Sequence, residues 1–584
     1  MRGPPTLWPA VPPLLFLIFF IAKPITAAVD FQKCCTLVPV SEELGPLQWD
    51  ACHSSYNSSE TDPDKKWAPE IATTYSWCHK VCEASGDFEV SDTSQWLSPL
   101  AAWVIPASAL LFLLPISEHL KSSEQYFRRS KKEKQWDKYV ANWWFPLVEY
   151  IQILGDPASA FNGALAEMIA DWTLCLSMQK PLNGKRERNL ILIVILAEQA
   201  DFWNVPARNT IELVAGSSRA REYTRSAGRV IWSARKKFNT SVVLPIALYI
   251  GVAAAVFYDA YQKLGDNSTS YGVWYNWILL LSVFANCFAS HSNLDAVRSG
   301  MEIILRGVIE NHTIAQLSKV GWDNQAAQTL DQSYYTAIKS LSPYPAPHPP
   351  MLLNPRDLFA GNLECKGVPL HKRYRNTRNW VRWLHKNGVD IARPTEGIWS
   401  YHIFWPDWYS RHHPTAMYLI TQLLSWFFVL FSCACAAILS YTTPKVSLGC
   451  RSINHVLYAS IALLNAMIRV AKDTLEESEY IRTYQVVTVI YHIMGCLNAV
   501  LVLIGGSLLQ ITGVFRNCWC MSGIVGQNPD SRIILSSNTY AHQYWARTLW
   551  LRVAYLAYGE VAGFCVVALF IRLYVAHTVR KSLA

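Results

Sequence analysis

The sequence predicts an all-α protein, a polytopic bundle of about seven transmembrane helices with a small disulfide-bonded extracellular head. Three observations lead to this prediction. Of the 584 residues, 51% are hydrophobic; they gather into runs of about twenty; and a polar segment containing cysteines precedes the first such run. Runs of that length match the hydrocarbon core of a bilayer, and a water-soluble core does not require them.

The first 28 residues have the pattern of a secretory signal peptide. Arg2 precedes a short apolar stretch over 14–22, and the small residues Thr26, Ala27 and Ala28 follow it. Cleavage is expected near Ala27 or Ala28. The alternative is an uncleaved anchor. A signal peptide directs the segment that follows it out of the cytoplasm.

Residues 29–96 form the predicted extracellular head. They carry 12 Asp and Glu against 4 Lys, and five cysteines, an odd number that leaves one without a partner inside the segment. Cysteines in a secreted segment favour disulfides. Asn57 begins an Asn-Ser-Ser tripeptide and is a candidate glycosylation site.

Seven runs are long and apolar enough to be spans, and Trp or Tyr cluster near several of their ends. They cover residues 97–116, 241–262, 273–290, 416–441, 453–471, 486–511 and 553–576. The loop between the second and third spans contains Asn267, a second candidate glycosylation site.

The region 143–206 leaves the number of spans open. Apolar residues at helical spacing, among them Phe161 and Leu165, lie on one face, and Glu167 and Asp171 lie on another. A membrane hairpin over 158–206 would raise the count to nine. The alternative is a surface or soluble helix, which is favoured because burying the carboxylates would be costly.

Positive charge gives the orientation. The loops 117–240, 291–415 and 472–485, together with the tail 577–584, carry 37 Lys and Arg, and the opposite side carries 11. An excess of basic residues marks the cytoplasmic face, so the N-terminus is predicted outside and the C-terminus inside. This orientation adds Cys450, Cys518 and Cys520 to the exterior cysteines, which makes eight. The candidates for disulfide bonds are Cys34, Cys35, Cys52, Cys78, Cys82, Cys450, Cys518 and Cys520.

The two long cytoplasmic segments are predicted to contain helices of their own. The second, 291–415, includes a proline run at 342–350, either a stiff spacer or a docking segment for cytoplasmic proteins. Basic clusters in both segments could bind anionic lipids of the inner leaflet. The bilayer is the main expected partner, and nucleic-acid binding is not expected of a chain tethered in this way.

Polar residues inside predicted spans are candidates for a ligand site or a proton pathway. The set consists of Glu560, His455, His492, Arg469, Asn465 and Asn498. The alternative is structural: Arg469 would extend to the interface, and the asparagines would join helices by hydrogen bonds. No soluble catalytic motif, metal site or cofactor motif is recognised. The sequence therefore predicts no catalytic residue, metal or cofactor.

The chain resembles uncharacterised multi-pass membrane proteins of filamentous fungi. Leu-Gly-Asp-Asn at 264–267 closes one span, and Tyr-Gly-Val-Trp-Tyr-Asn-Trp at 271–277 opens the next. The resemblance covers mainly residues 241–293. It departs at 289–293, Ala-Ser-His-Ser-Asn, where the family tends to have a Gly-Asn-Asn ending. It implies a multi-pass helical membrane fold and brings no activity or site residue.

Three functions remain open after the sequence has been read. The first is a receptor-like or scaffolding protein of the cell surface, in which the head receives a signal and the basic segments bind partners inside. The second is a proton- or ion-coupled transporter of small molecules, which would use Glu560, His455 and His492. The third is a membrane-embedded enzyme with residues scattered over several helices. A plasma-membrane location within the secretory pathway is expected for each.

Overall fold

A computed structural model defines the fold. It describes residues 29–53, 69–82, 104–116, 146–179, 184–198, 200–201, 220–234, 243–263, 269–287, six positions from 296 to 304, 366–387, 389, 416–442, 449–476, 481–508, 517–522, 529–536 and 546–584. The predicted signal peptide and the proline run at 342–350 lie outside these residues.

The described parts of the head, 29–53 and 69–82, contain three short helices and one strand. They are α1 (Phe31–Leu37), α2 (Gly45–His53), β1 (Ala72–Thr74) and α3 (Tyr75–Val81). Asp30 caps the start of α1 by accepting hydrogen bonds from two backbone N–H groups. Strand β1 pairs in antiparallel fashion with β4 (Arg532–Ile534), a strand from the predicted exterior loop 512–552. The head is therefore completed by a segment more than 400 residues later in the chain.

Four disulfides use all eight cysteines of the predicted exterior segments. The pairs are Cys34–Cys82, Cys35–Cys52, Cys78–Cys518 and Cys450–Cys520. Two of these bonds lie within the head. The third joins the head to α16 (Cys518–Ser522), and the fourth joins α16 to the first residue of α14 (Cys450–Glu476). The head, the loop 512–552 and the start of α14 thus form one covalently linked unit.

The described residues include four helices that are long and apolar enough to cross a bilayer, which agrees with the predicted class of helical membrane protein. Their membrane-length parts are Tyr418–Thr442 in α13 (Ala416–Thr442), Ser452–Asp473 in α14, Arg482–Leu503 in α15 (Ile481–Val500) and the turns after it, and Thr548–Leu583, which includes α17 (Leu551–Leu583). Turns of π-helix at Leu501–Leu508 and Ala546–Trp550 extend α15 and precede α17.

Three further predicted spans appear as shorter helices among the described residues. They are α4 (Ile105–Phe112), α9 (Leu244–Lys263) and the pair α10 (Thr269–Trp274) and α11 (Asn276–Ala285). The side chains of α11 are all buried, and Trp274 and Trp277 are fully enclosed. This predicted span therefore lies inside the bundle.

The outer faces of the long helices expose large apolar side chains. Burying such side chains is favourable in water, so a continuous exposed apolar face indicates contact with lipid. On α15 and α17 the exposed residues include Val486, Ile490, Ile493, Leu497, Leu556, Phe570 and Leu573.

A helical hairpin occupies the centre of the bundle. A helix over residues 146–155, here α5, ends at Gly155, and α6 (Pro157–Gln179) begins two residues later. Helix α6 packs against α11, α13, α14 and α17. The residues that the sequence assigned to a polar face, Glu167 and Asp171, are each 1% exposed, whereas Trp172, assigned to the apolar face, is 41% exposed.

The burial of Glu167 and Asp171 corrects the expectation that they lie on an exposed polar face, whereas Phe161 and Leu165 of the predicted apolar face are buried as expected. The physical reason is that the polar side chains of α6 find partners inside the bundle, while Trp172 lies on the outer surface. An apolar stripe identifies the buried face of a helix only when water surrounds the other face.

The opposite end of the bundle from the head is an inner layer of shorter helices. It contains α7 (Lys185–Ala197), α8 (Ala220–Ser233), α12 (Arg373–Lys386) and the last turns of α17, packed around one apolar cluster. Strands β2 (Ala200–Asp201) and β3 (Lys366–Gly367) join two of its segments. The predicted tail 577–584 is part of α17, and the carbonyl of Leu583 accepts hydrogen bonds from Arg229 at 3.2 and 3.1 Å.

Candidate functional site

The candidate site lies at the tip of the central hairpin, where the helix is interrupted by Gly155, Asp156 and Pro157. Pro157 takes the first position of α6, where a missing N–H costs nothing. Asp156 caps that helix, because its Oδ1 accepts a hydrogen bond from the backbone N–H of Ser159 at 3.1 Å. Gly155 allows the tip to approach the main chain of Gly495 on α15. The sequence therefore encodes a break, and Asp156 is placed inside the bundle with 2% of its surface exposed.

Side chains from the long helices satisfy the polar groups that the break releases. The hydroxyl of Tyr458 donates to the carbonyl of Leu154 at 3.0 Å, and Asn498 Nδ2 donates to the carbonyl of Gly155 at 3.0 Å. The hydroxyl of Tyr491 donates to Asp156 Oδ2 at 2.8 Å. An interrupted helix within a membrane requires such partners, since lipid provides none.

A second set of polar contacts continues from the tip along α6. Asn162 Nδ2 donates to Gln422 Oε1 at 2.9 Å, and Thr421 Oγ1 donates to Asn162 Oδ1 at 2.6 Å. Arg469 donates to the same Gln422 oxygen at 2.7 Å and forms an ion pair with Asp473 at 3.7 Å. These residues connect α6, α13 and α14 through one buried network. The carboxylates of Asp156 and Asp473 both act on the charge of Arg469.

A small cavity opens beside the tip. Its volume is about 10 Å³, close to what one water molecule requires. The lining is formed by α5, Asp156, α14 and α15. The residues that line it are Ile151, Gln152, Asp156, Asn465, Tyr491, His492, Gly495 and Cys496. His492 and Cys496 are partly exposed, so the cavity reaches the surface of the bundle on that side.

The side-chain amide of Asn465 is fully buried at this cavity. Neither its oxygen nor its nitrogen has a hydrogen-bond partner among the described residues. A buried amide without partners is costly, by roughly 1–3 kcal/mol. Its position on the cavity wall therefore favours a small polar guest that can both donate and accept a hydrogen bond.

Four of the six sequence-predicted candidates meet at this place. Asn465 and His492 line the cavity, Asn498 holds the carbonyl of Gly155, and Arg469 belongs to the adjoining network. We refer to the tip, its cavity and these partners as the Asp156 site.

The other two candidates lie elsewhere. His455 is fully buried and its ring packs edge-on against Trp274, with the ring centroids 4.8 Å apart. Glu560 is half-buried on α17 and lies near Cys435 of α13. The glycosylation candidates Asn57 and Asn267 are outside the described residues.

Sequence reasoning missed the central residues of the site, Asp156, Tyr491 and Gln422. The signal that could have found Asp156 is the Gly-Asp-Pro tripeptide between two apolar helical stretches, which is a helix break followed by a cap and a first-turn proline. Tyr491 and Gln422 carry no comparable signal, because each is a single polar residue in an apolar helix.

A second buried polar cluster lies on the inner side of α6. Arg373 of α12 forms an ion pair with Glu167 at 3.3 Å and donates to the carbonyl of Pro115 at 2.8 Å. Glu198, at the end of α7, lies near Asp171 and is buried. Burial raises the pKa of Glu198 well above its usual value, and the nearby carboxylates of Asp171 and Glu167 raise it further.

The cysteines of the head do not form a metal centre. The sulfur atoms of Cys78, Cys82 and Cys518 lie within 4.8 Å of one another. All three are oxidised, in the bonds Cys34–Cys82 and Cys78–Cys518, so none offers a thiolate.

Comparisons with known proteins do not assign the chain to a family. No protein-family model matches the chain, no curated protein matches it, and no solved structure matches it. The function is therefore argued from the Asp156 site.

Proposed function

We propose that this chain is a transporter that moves a small polar molecule or ion across the plasma membrane, coupled to a proton or another ion. The observation that carries the proposal is the interrupted helix α5–α6 with Asp156 buried at its tip. Broken helices that place polar groups inside a bundle are characteristic of transporter substrate and ion sites. If the buried asparagines only joined helices by hydrogen bonds, neither the helix break nor the cavity beside it would be required.

The proposed topology has seven spans with α5–α6 as a re-entrant hairpin that enters and leaves on the cytoplasmic side. The described residues support it, because disulfides join three of the four segments that the charge distribution assigns to the exterior, namely the head, 442–452 and 512–552. The segments assigned to the interior, including α7, α8 and α12, pack together around the end of α17. Oxidised cysteines belong to the exterior compartment, which agrees with the excess of Lys and Arg on the other side.

Glycosylation provides the test of orientation. In cells that express the full chain, we expect glycosidase treatment to increase the mobility of the wild type and to have less effect on Asn57→Gln or Asn267→Gln. A sugar engineered into the tail 577–584 is the matched control and should not be added. Modification of that tail would contradict the orientation.

Transport is tested in membrane vesicles from cells that express the full chain. Vesicles receive a mixture of amino acids, sugars, nucleosides, polyamines and inorganic ions, and accumulation is measured by mass spectrometry. We expect at least one solute to accumulate with the wild type and its rate to fall about tenfold or more in Asp156→Asn. Asn retains the helix cap and can accept from Tyr491, so folding should be preserved. Equal accumulation with wild type, variant and empty vesicles would contradict the proposal.

A receptor-like role is the second candidate, and one observation favours it. The head is linked by Cys78–Cys518 and Cys450–Cys520 to the first residue of α14, whose later residues include Asn465 and Arg469. A ligand bound to the head could therefore displace a helix of the Asp156 site, with the basic segment 291–415 as the contact for cytoplasmic proteins or anionic lipids. Deletion of residues 300–410 without loss of the cellular response would contradict this role.

A further inference from the structure

The cavity of the Asp156 site limits what it can bind. Its volume is that of about one water molecule, so an organic solute does not fit in it. Hard cations such as Ca²⁺ or Mg²⁺ take about six or more oxygen ligands. The lining offers five side-chain oxygens, two from Asp156 and one each from Asn465, Gln152 and Tyr491, and the Tyr491 hydroxyl already donates to Asp156. A site of this size and composition suits water and the proton that water carries.

The charges around the cavity also favour water and a proton over other ions. Arg469 and Lys472 of α14 face it, and Lys472 Nζ lies 4.7 Å from the centre of the Tyr491 ring. Lys372 and His371 approach from the turn before α12, Asp473 and the hydroxyls of Tyr418 and Tyr458 also lie near the tip, and Cys496 lies on the cavity wall. A metal cation would meet several positive charges and only two carboxylates, and an anion would be repelled by Asp156.

Two proton-binding side chains, Asp156 and His492, line the same cavity from opposite helices. His492 is the more exposed of the two, and Asp156 is enclosed. The fully buried side-chain amide of Asn465 lies on the cavity wall. Among the described residues, neither its oxygen nor its nitrogen has a hydrogen-bond partner. A water molecule there would use both, because it donates and accepts hydrogen bonds.

We propose that the Asp156 site is a proton site in which His492 and Asp156 exchange a proton through one water molecule held by Asn465. In the inward step a proton from the exposed side binds one ring nitrogen of His492, the other ring nitrogen gives its proton to the water, and the water gives a proton to the Asp156 carboxylate. The products are a neutral imidazole, an unchanged water molecule and a neutral carboxylic acid. The coupled ion of the proposed transporter is then H⁺, and this coupling role rests on the proposed function. The binding of a proton at the Asp156 site does not depend on the proposed function.

Protonation would also change the packing of the hairpin. The hydrogen bond from Tyr491 to an ionised carboxylate is stronger than one to a neutral acid. A neutral Asp156 also removes one of the two carboxylates that act on Arg469. The contact between the hairpin tip and α15 is therefore weaker in the protonated form. Protonation of Asp156 thus favours separation of the hairpin α5–α6 from α15.

Difference infrared spectroscopy of the full chain in lipid nanodiscs tests the proton site without any solute. On acidification we expect the wild type to gain a carboxylic-acid band that is absent in Asp156→Asn and retained in Asp50→Asn, a control at an exposed carboxylate of the head. Replacing Na⁺ by choline should leave the band unchanged. After a rapid pH drop, the band should form about tenfold more slowly in His492→Gln and in Asn465→Leu.

The outcomes separate the two proposals. A band that persists in Asp156→Asn, or that depends on Na⁺, would overturn the proton site. An Asp156-dependent band with wild-type rate in His492→Gln and Asn465→Leu would overturn the relay. If the band depends on Asp156 but no solute accumulates in vesicles, the proton site stands and transport fails. If a solute accumulates in an Asp156-dependent manner without such a band, transport stands and the proton site fails.

Discussion

Gly155, the last residue of α5, lies directly against the main chain of Gly495 on α15. A Cβ atom placed on Gly155 would collide with the carbonyl group and the Cα of Gly495. Because these are backbone atoms, neither side can move without separating the hairpin from α15. The tip of the hairpin therefore depends on the absence of a side chain at residue 155.

The first prediction follows from this contact. Gly155→Ala should destabilise the protein by about 1–3 kcal/mol, the usual cost of overpacking a core. Thermal unfolding in detergent measures the change. The matched control is Gly495→Ala, because a Cβ there meets only the Asn465 amide nitrogen, at the ordinary contact distance of 3.4 Å. Equal loss of stability in both variants would contradict the close contact between Gly155 and the main chain of Gly495.

The second prediction concerns the buried ion pair between Arg373 and Glu167. Arg373→Met should cost about 3–5 kcal/mol, because it leaves the carboxylate of Glu167 buried without its cation. The double variant Arg373→Met with Glu167→Gln should regain part of that loss, which a double-mutant cycle would measure. Arg375→Met, two residues away on an exposed position, should have little effect. Additive losses in the double variant would show that the two side chains do not interact.

The third prediction is a pH dependence due to Glu198. Its ordinary pKa is 4.5, and burial beside Asp171 and Glu167 raises the pKa in the folded protein well above that value. Between these two pKa values the folded protein binds a proton that the unfolded chain has released. The contribution of Glu198 to the free energy of unfolding is therefore complete below pH 4.5. It is lost as the pH rises through the pKa of the folded protein. The unfolding midpoint of the wild type should therefore fall with rising pH across this window.

Glu198→Gln should flatten that dependence, because the amide is nearly the same size as the carboxylic acid and does not ionise. Unfolding midpoints from about pH 5 to about pH 9 give the comparison. The control is Glu222→Gln, a carboxylate on an exposed position of α8, which should retain the wild-type slope. A slope for Glu198→Gln equal to that of the wild type would assign the pH dependence to other groups.

The fourth prediction concerns the disulfide between Cys78 and Cys518, which closes a loop of 440 residues. With a protease site inserted in the proline run 342–350, cleavage should give two fragments that remain joined on a non-reducing gel and separate after reduction. Cys78→Ser should release the fragments without reduction. Cys450→Ser should not, because Cys450 and its partner Cys520 belong to the same fragment. Release of the wild-type fragments under non-reducing conditions would contradict the pairing.

The sequence by itself determined the class of the protein and most of the long helices. Apolar runs near twenty residues report directly on the thickness of a bilayer, so the helices around 416–441, 453–471, 486–511 and 553–576 could be predicted without knowledge of their neighbours. The same reasoning selected Asn465, Arg469, His492 and Asn498, because a polar residue within an apolar run is visible in the sequence.

Only the tertiary structure decided the position of α6 and the centre of the site. Glu167 and Asp171 were predicted to be surface groups and Asp156 was not selected, since burial of a carboxylate is costly unless it has a partner. Their partners, among them Arg373 and Tyr491, lie more than 200 residues later in the chain. Local spacing contains no information about pairs so distant. The sequence therefore determined which segments are long and apolar enough to cross a membrane, and the long-range contacts determined which polar residues could be buried between the helices.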